Sequence, residues 1–266
     1  MAGPTTAERG ERTQGDAPAR PPRPTGGGRR LRLPPTRTRV IAGVAAALLA
    51  AGVVWLLYGS QWLRVERVKT SGTEVLTSEQ VRAVARVPVG APLISVDTDA
   101  IEDRLRKKLR RIDTVDVVRS WPHGIGLKVT ERKPVLLIEK GGKFTEVDAK
   151  GVRFATVDRP PKGVPLLELD AAASPSLNRF GTERLLRAAV QVAGDLPASV
   201  AKDARTVQVR SYDSISVELK GQRTVHWGSV EKGDAKAASL TALMKAEPTA
   251  RRFDVSAPTA PAVSGS

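Results

Sequence analysis

Few residues in this chain could do chemistry, and none stands in an arrangement that would let it act. Glu131 and Asp148 are lone carboxylates, read from their neighbours as a strand end and a turn, whereas a glycosidase needs two such groups facing each other across the sugar bond. His123 falls in the turn Pro122-His123-Gly124 with no candidate ligand beside it. His226 precedes Trp227 in a run that reads as a strand, where a histidine is ordinarily a packed or edge side chain. Cysteine is absent from the sequence, so no disulfide framework, zinc site or thiol nucleophile is available. G-x-S-x-G, H-E-x-x-H and P-loop patterns do not occur, and Gly26-Gly27-Gly28 sits in a Pro/Arg-rich leader unfit to cradle phosphate. The expectation is a non-enzymatic protein without metal, cofactor or small-molecule substrate.

Binding chemistry remains, and charge is its first sign. Lys plus Arg number 43 against 28 Asp plus Glu, a net charge of +15. The basic run Arg104, Arg106, Lys107, Lys108, Arg110 and Arg111 falls on the polar face of a predicted helix. Arg104, Lys107, Lys108 and Arg111 form a candidate contact face for headgroups, acidic wall polymers or an acidic partner helix; the plainer alternative is a solvated face that keeps the domain soluble. Near the C-terminus, Arg252 to Ser256 reads as a last strand arriving after a helix, a placement that commonly puts a strand at a sheet edge. An edge accepts a partner strand through main-chain hydrogen bonds, with selectivity from alternate side chains. The candidate partner-binding residues there are Arg251, Arg252, Phe253, Asp254, Val255 and Ala257. Phe253 and Val255 serve equally well as core residues, since the two faces of one strand can do both jobs. Trp121, beside Pro122, is read as a packed plug in preference to a binding platform.

These groups must be held by ordered elements, and the strongest is an anchor. From Val40 to Tyr58 every residue is apolar or Gly, and no charge intervenes between Arg39 and Arg64. At ~1.5 Å per residue such a stretch crosses the roughly 30 Å hydrocarbon core of a bilayer. Trp55, Tyr58 and Trp62 gather at its end, where aromatic rings favour the headgroup region. Seven arginines from Arg20 to Arg39 precede the span, so the positive-inside rule places the N-terminus in the cytoplasm and residues 64–266 outside. That topology also turns the outer basic residues away from nucleic acid.

Five divisions follow. Residues 1–39 form a disordered basic cytoplasmic tail, 40–63 the transmembrane signal anchor, 64–133 a first outer domain, 134–257 a second and 258–266 a flexible tail. In the first outer domain a strand at 65–70 leads to a helix opening on the capping box Thr77-x-x-Gln80. A second helix starts near Asp97 or Thr98 and buries Ile101, Leu105, Leu109 and Ile112; strands from Val115 and Ile125 complete the domain. In the second, strands near 135–138, 143–147 and 152–154, a helix near 182–193, three strands between 206 and 227, a helix near 235–245 and the last strand predict a mostly antiparallel sheet with flanking helices. The fold class is α+β.

The succession Val65-x-x-Val68-x-Thr70-x-Gly72, the helix opening at Thr77, Ala91-Pro92-Leu93-Ile94-Ser95-Val96-Asp97, Val118-Arg119-Ser120-Trp121-Pro122, and Leu127-x-Val129-x-Glu131-Arg132-x-Pro134 resembles the POTRA domain of the FtsQ/DivIB family of bacterial cell-division proteins. Phe144 to Phe154, Phe-x-x-Val-Asp-x-x-Gly-Val-x-Phe, is similar to the opening of that family's β-domain. The resemblance implies a single-pass type II protein of the plasma membrane and division septum. It also implies a divisome scaffold that links cytoplasmic or early division proteins to FtsB/DivIC-like and FtsL-like partners and to septal peptidoglycan synthesis, the partners being captured at the C-terminal edge. The alternative is a POTRA-type polypeptide-binding component of export or envelope assembly.

Overall fold

The computed structural model describes residues 36–170 and 175–265, with the backbone alone described over 175–180. The expected disordered tail lies outside the described residues as far as residue 35; residues 36–39 are already helical. Helix α1 (Thr36–Tyr58) has no buried residue and is the one helix among the described residues long and apolar enough to cross a membrane. It begins earlier than the apolar run because Arg37 and Arg39 are good helix formers, and it stops at Tyr58 before Gly59. The remainder of the expected 40–63 anchor is a short 3-10 turn at Gln61–Leu63.

The first outer domain follows the predicted order: β1 (Arg67–Ser71), α2 (Ser78–Ala85), α3 (Thr98–Lys108), β2 (Ile112–Ser120) and β3 (Gly124–Glu131). β3 is the central strand, parallel to β1 and antiparallel to β2. Inward-facing Ile125, Leu127 and Val129 meet Val115 and Val117 of β2, and Val81, Ala85, Ile101 and Leu105 from the two helices complete one buried core. The Thr77 hydroxyl accepts from the Gln80 N–H (3.1 Å) and the Gln80 side chain accepts from the Thr77 N–H (3.0 Å), closing the capping box that starts α2.

The second domain is one sheet of nine strands. β4 (Pro134–Lys140), β5 (Lys143–Asp148) and β6 (Arg153–Val157) form a meander; β7 (Leu166–Leu169) pairs in parallel with both β4 and β8 (Ala204–Ser211), from which β9 (Ser214–Leu219) and β10 (Arg223–Gly228) continue antiparallel. Helix α4 (Pro175–Asp195), bent at Gly181 (φ 68°), packs on β4 and β8, with the short α5 (Ala198–Ala201) after it. Helix α6 (Gly233–Ala246) packs on α4 and on β11 (Arg252–Asp254). The core gathers Leu136, Val147, Leu185, Leu186, Val207, Val217, Trp227, Leu240 and Phe253.

The final element departs from expectation. Residues 262–264, assigned to a flexible tail, form β12 (Ala262–Ser264), antiparallel to β11. The domain therefore does not end at 257; the strand order runs β12-β11-β10-β9-β8-β7-β4-β5-β6.

Charged side chains fasten the two outer domains to each other. Arg111 donates to the Glu146 carboxylate at 2.6 Å and lies 5.2 Å from the Phe154 ring centroid. Arg132 bridges Asp148 and Asp113 (3.1 Å to the latter), and Lys150 closes on Asp113 at 2.7 Å.

Candidate partner-binding edge

The twelfth strand arises from the turn before it and one tie to α6. After Val255, Pro258 and Pro261 impose turn geometry, the Ala260 N–H donates to the Ala257 carbonyl (3.0 Å), and Ser239 of α6 donates its hydroxyl to the Pro258 carbonyl (3.1 Å). The chain is thereby folded back so that Arg252 stands opposite Ser264, Phe253 opposite Val263 and Asp254 opposite Ala262.

Arg252–Asp254 is consequently not the edge. β11 pairs with β10 on one side and β12 on the other, and the unpaired side of the sheet passes to Ala262–Ser264. The Val255 N–H donates to the His226 carbonyl at 3.0 Å, so by two-residue alternation Phe253 also directs its backbone groups toward β10, and Arg252 and Asp254 direct theirs toward β12. The same alternation turns the backbone N–H and C=O of Val263 to the open side.

Of the six residues expected to meet a partner, two are unavailable. Phe253 and Val255 are buried at 1% and 0% exposure, while Arg251, Arg252, Asp254 and Ala257 are exposed. The outward face carries two rungs, Thr224–Arg252–Ser264 and His226–Asp254–Ala262, around a groove of about 330 Å³. The charged residues thus sit one strand in from the edge, behind the small side chains of Ala262 and Ser264. Burial opposes ionisation of Asp254, but hydrogen bonds from the Ser256 hydroxyl (2.6 Å) and N–H (2.9 Å), with His226 nearby, hold its carboxyl below the usual range. An incoming strand would meet an anionic Asp254 beside a cationic Arg252.

The basic face of the second helix is smaller than its sequence suggests. Arg104 is half-buried and donates to the Ala85 carbonyl at 2.6 Å, capping α2, and Arg111 is committed to Glu146 and Phe154. Lys107 and Lys108 remain exposed, and Arg106 is paired with Asp103 at 2.7 Å.

Residues 63–132 match the family model described as POTRA domain, FtsQ-type. Over the whole chain the sequence is 64% identical to a protein of Streptomyces collinus named cell division protein FtsQ, and 63% identical to the protein of that name from Streptomyces coelicolor, with each chain fully covered. The chain belongs to the FtsQ family of cell-division proteins. An FtsQ of Mycolicibacterium smegmatis is 33% identical over 82% of this chain and 62% of its own. The extracytoplasmic domain of DivIB from Geobacillus stearothermophilus aligns over 44% of this chain and 94% of its own at 15% identity, with a TM-score of 0.32.

Within the matched POTRA region, Glu131 proves to be more than a strand end. Its carboxylate accepts from the backbone N–H groups of Glu74, Val75 and Leu76 at 2.8 to 3.2 Å, clamping the loop between β1 and α2. Its 55-residue reach back to Leu76 is invisible to local pattern; the Glu-Arg-x-Pro sequence is the one signal that could have flagged it. Asp148 is likewise a turn residue, accepting from the N–H groups of Lys150 and Val152, but it also takes the Arg132 guanidinium. His123 is only partly exposed and shares a 2.6 Å contact with an Arg67 nitrogen. Trp121 is no packed plug: half of it, 50%, faces solvent. Among the described residues no three His, Cys, Asp or Glu side chains gather as a metal site would require.

Proposed function

We propose that this FtsQ protein is a non-enzymatic divisome scaffold whose β-domain captures an extended segment of an FtsB/DivIC-like or FtsL-like division protein by strand addition along Ala262–Ser264. The supporting observation is the open side of β12, backed by a groove that carries both signs of charge at Arg252 and Asp254. Small residues at the edge leave room for an incoming side chain to lean over them onto Arg252 and His226. The membrane helix, entered from an arginine-rich cytoplasmic leader, sets the POTRA and β-domains outside the plasma membrane at the septum, where captured partners connect to peptidoglycan synthesis. Lys107 and Lys108 of α3 are the part of the basic face left for a further division protein.

Val263→Pro is the direct test. Proline removes the outward N–H and is tolerated on an edge, so the fold should survive while pull-down of the FtsB/DivIC-like partner falls at least tenfold. Val255→Pro would not serve, because it removes the donor to His226 and disturbs a fully buried position. Undiminished capture by a folded Val263→Pro protein would refute strand addition at this edge.

A further inference from the structure

The POTRA sheet has one face covered by α2 and α3 and one face open, and the open face is a trough. Its central strand carries Gly124 and Gly126 where side chains would otherwise fill it. Lys69, Gly126 and Val118 form one rung across the three strands, and Arg67, Gly124 and Ser120 form the next. A Cβ on Gly126 would come within 2.9 Å of the Val118 side chain, and one on Gly124 within 3.0 Å of the Ser120 carbonyl, so glycine at both positions lets the β2 side chains lie low over the floor.

The two walls differ in chemistry. β1 supplies Arg67 and Lys69, and β3 adds Lys128 at the far end; Val118 (37% exposed) and Trp121 (50% exposed) make the opposite wall. The groove holds about 410 Å³ and no carboxylate lines it. Asp116 borders it, opposite Lys128 in register, yet neither Lys69 nor Lys128 has an ion-pair partner among the described residues. The Arg67 guanidinium meets His123 at 2.6 Å, and His123 in turn lies 4.0 Å from the Glu66 carboxylate outside the groove. Exposed tryptophan beside unpaired bases combines an apolar anchor with charge that favours an anionic partner.

We propose that this trough docks an extended segment of a partner protein in which acidic and apolar residues alternate. Side chains of an extended chain project to opposite sides at successive positions, so a segment lying along β3 sends one set to Arg67 and Lys69 and the other to Val118 and Trp121. The surface is distinct from the β12 edge and does not depend on it. A polyanion would engage the basic wall alone and leave the apolar wall wet.

The test uses the full-length protein in nanodiscs of neutral lipid and fluorescein-labelled nine-residue peptides read by anisotropy. The probes are a peptide alternating Glu with Phe or Leu, a peptide of the same composition with its Glu residues in one block, and polyglutamate. The alternating peptide should bind saturably and the other two at least tenfold more weakly. Trp121→Ala and the pair Lys69→Glu/Lys128→Glu should each weaken it about tenfold, whereas Lys140→Glu/Lys162→Glu on the β-domain, both exposed, should leave it unchanged. The lysine pair is exposed, so its result stands even if Trp121→Ala disturbs the fold. Equal binding of polyglutamate or the block peptide, or indifference to the lysine pair, overturns the proposal.

Discussion

Replacing Arg111 with Met should loosen the junction between the POTRA domain and the β-domain far more than any surface change. The Arg111 and Glu146 side chains are only 13% and 6% exposed and meet at 2.6 Å. Removing one member of a buried pair leaves a charge without compensation, at a cost of about 3 kcal/mol or more. Loss of the guanidinium over Phe154 adds roughly 0.5–1 kcal/mol. Glu146→Leu should cost less, about 1–2 kcal/mol, because Arg111 keeps its contact with Phe154 and can turn its head toward water. In Arg111→Met/Glu146→Leu no charge is stranded, and about 1 kcal/mol of loss should remain, giving a coupling of about 4 kcal/mol. Hydrogen-exchange mass spectrometry on the full chain in nanodiscs reads this locally. Amides of β5 and the start of β2 should exchange about five hundredfold faster in Arg111→Met and recover most of their protection in the double variant. If the two single effects simply add, the pair is not the fastening that its burial implies.

Glu131→Gln should lower stability by about 2 kcal/mol and release the amides of Glu74, Val75 and Leu76 to exchange, since a neutral amide replaces a carboxylate that accepts from all three. Asp195→Asn should stabilise the chain by about 1 kcal/mol or less at pH 7. Burial first, and then the neighbouring Asp234 charge, raise the Asp195 carboxyl, so the folded state holds that proton more tightly than the unfolded state. Stability tied to this group is full below its unfolded pKa and is lost as pH rises through the folded one, so the benefit of Asn should fade as thermal unfolding is repeated at acid pH.

Local signals located most of the fold. Thr77-x-x-Gln80 and Asp97 mark helix starts through bonds that close within three residues, and both α2 and α3 begin there. Alternation in Ile125 to Glu131 places β3, with Ile125, Leu127 and Val129 buried. What stayed illegible was long-range. Arg104 and Arg111 read as members of one exposed basic face, for contact or for solvation, yet one caps a helix 19 residues back and the other pairs 35 residues ahead. Ala262-Val263-Ser264 is too short to show a period, and its place in the sheet is fixed by the turn at Pro258 and Pro261 and by Ser239 on another element.

The sheet has two ends, and an added strand would meet different surroundings at each. β6 ends it on the side of the domain junction, where Phe154 is buried under Arg111 and Arg153 pairs with Glu183 at 2.6 Å. A strand added there would have to share space with the contacts that fasten the POTRA domain. At the other end β12 has three exposed residues, no ion pair across it among the described residues, and Arg252 and Asp254 within one strand's width. Edges of this kind are ordinarily protected by length, proline or charge, and β12 is short and flanked by Pro261. It is thus poor at pairing with copies of itself, while a partner that also satisfies Arg252 and Asp254 gains what self-pairing lacks. Capture that survives Val263→Pro but is lost when β6 is interrupted by proline at Ala155 would move the docking site to the junction and make POTRA orientation, in place of the C-terminal groove, the determinant of partner choice.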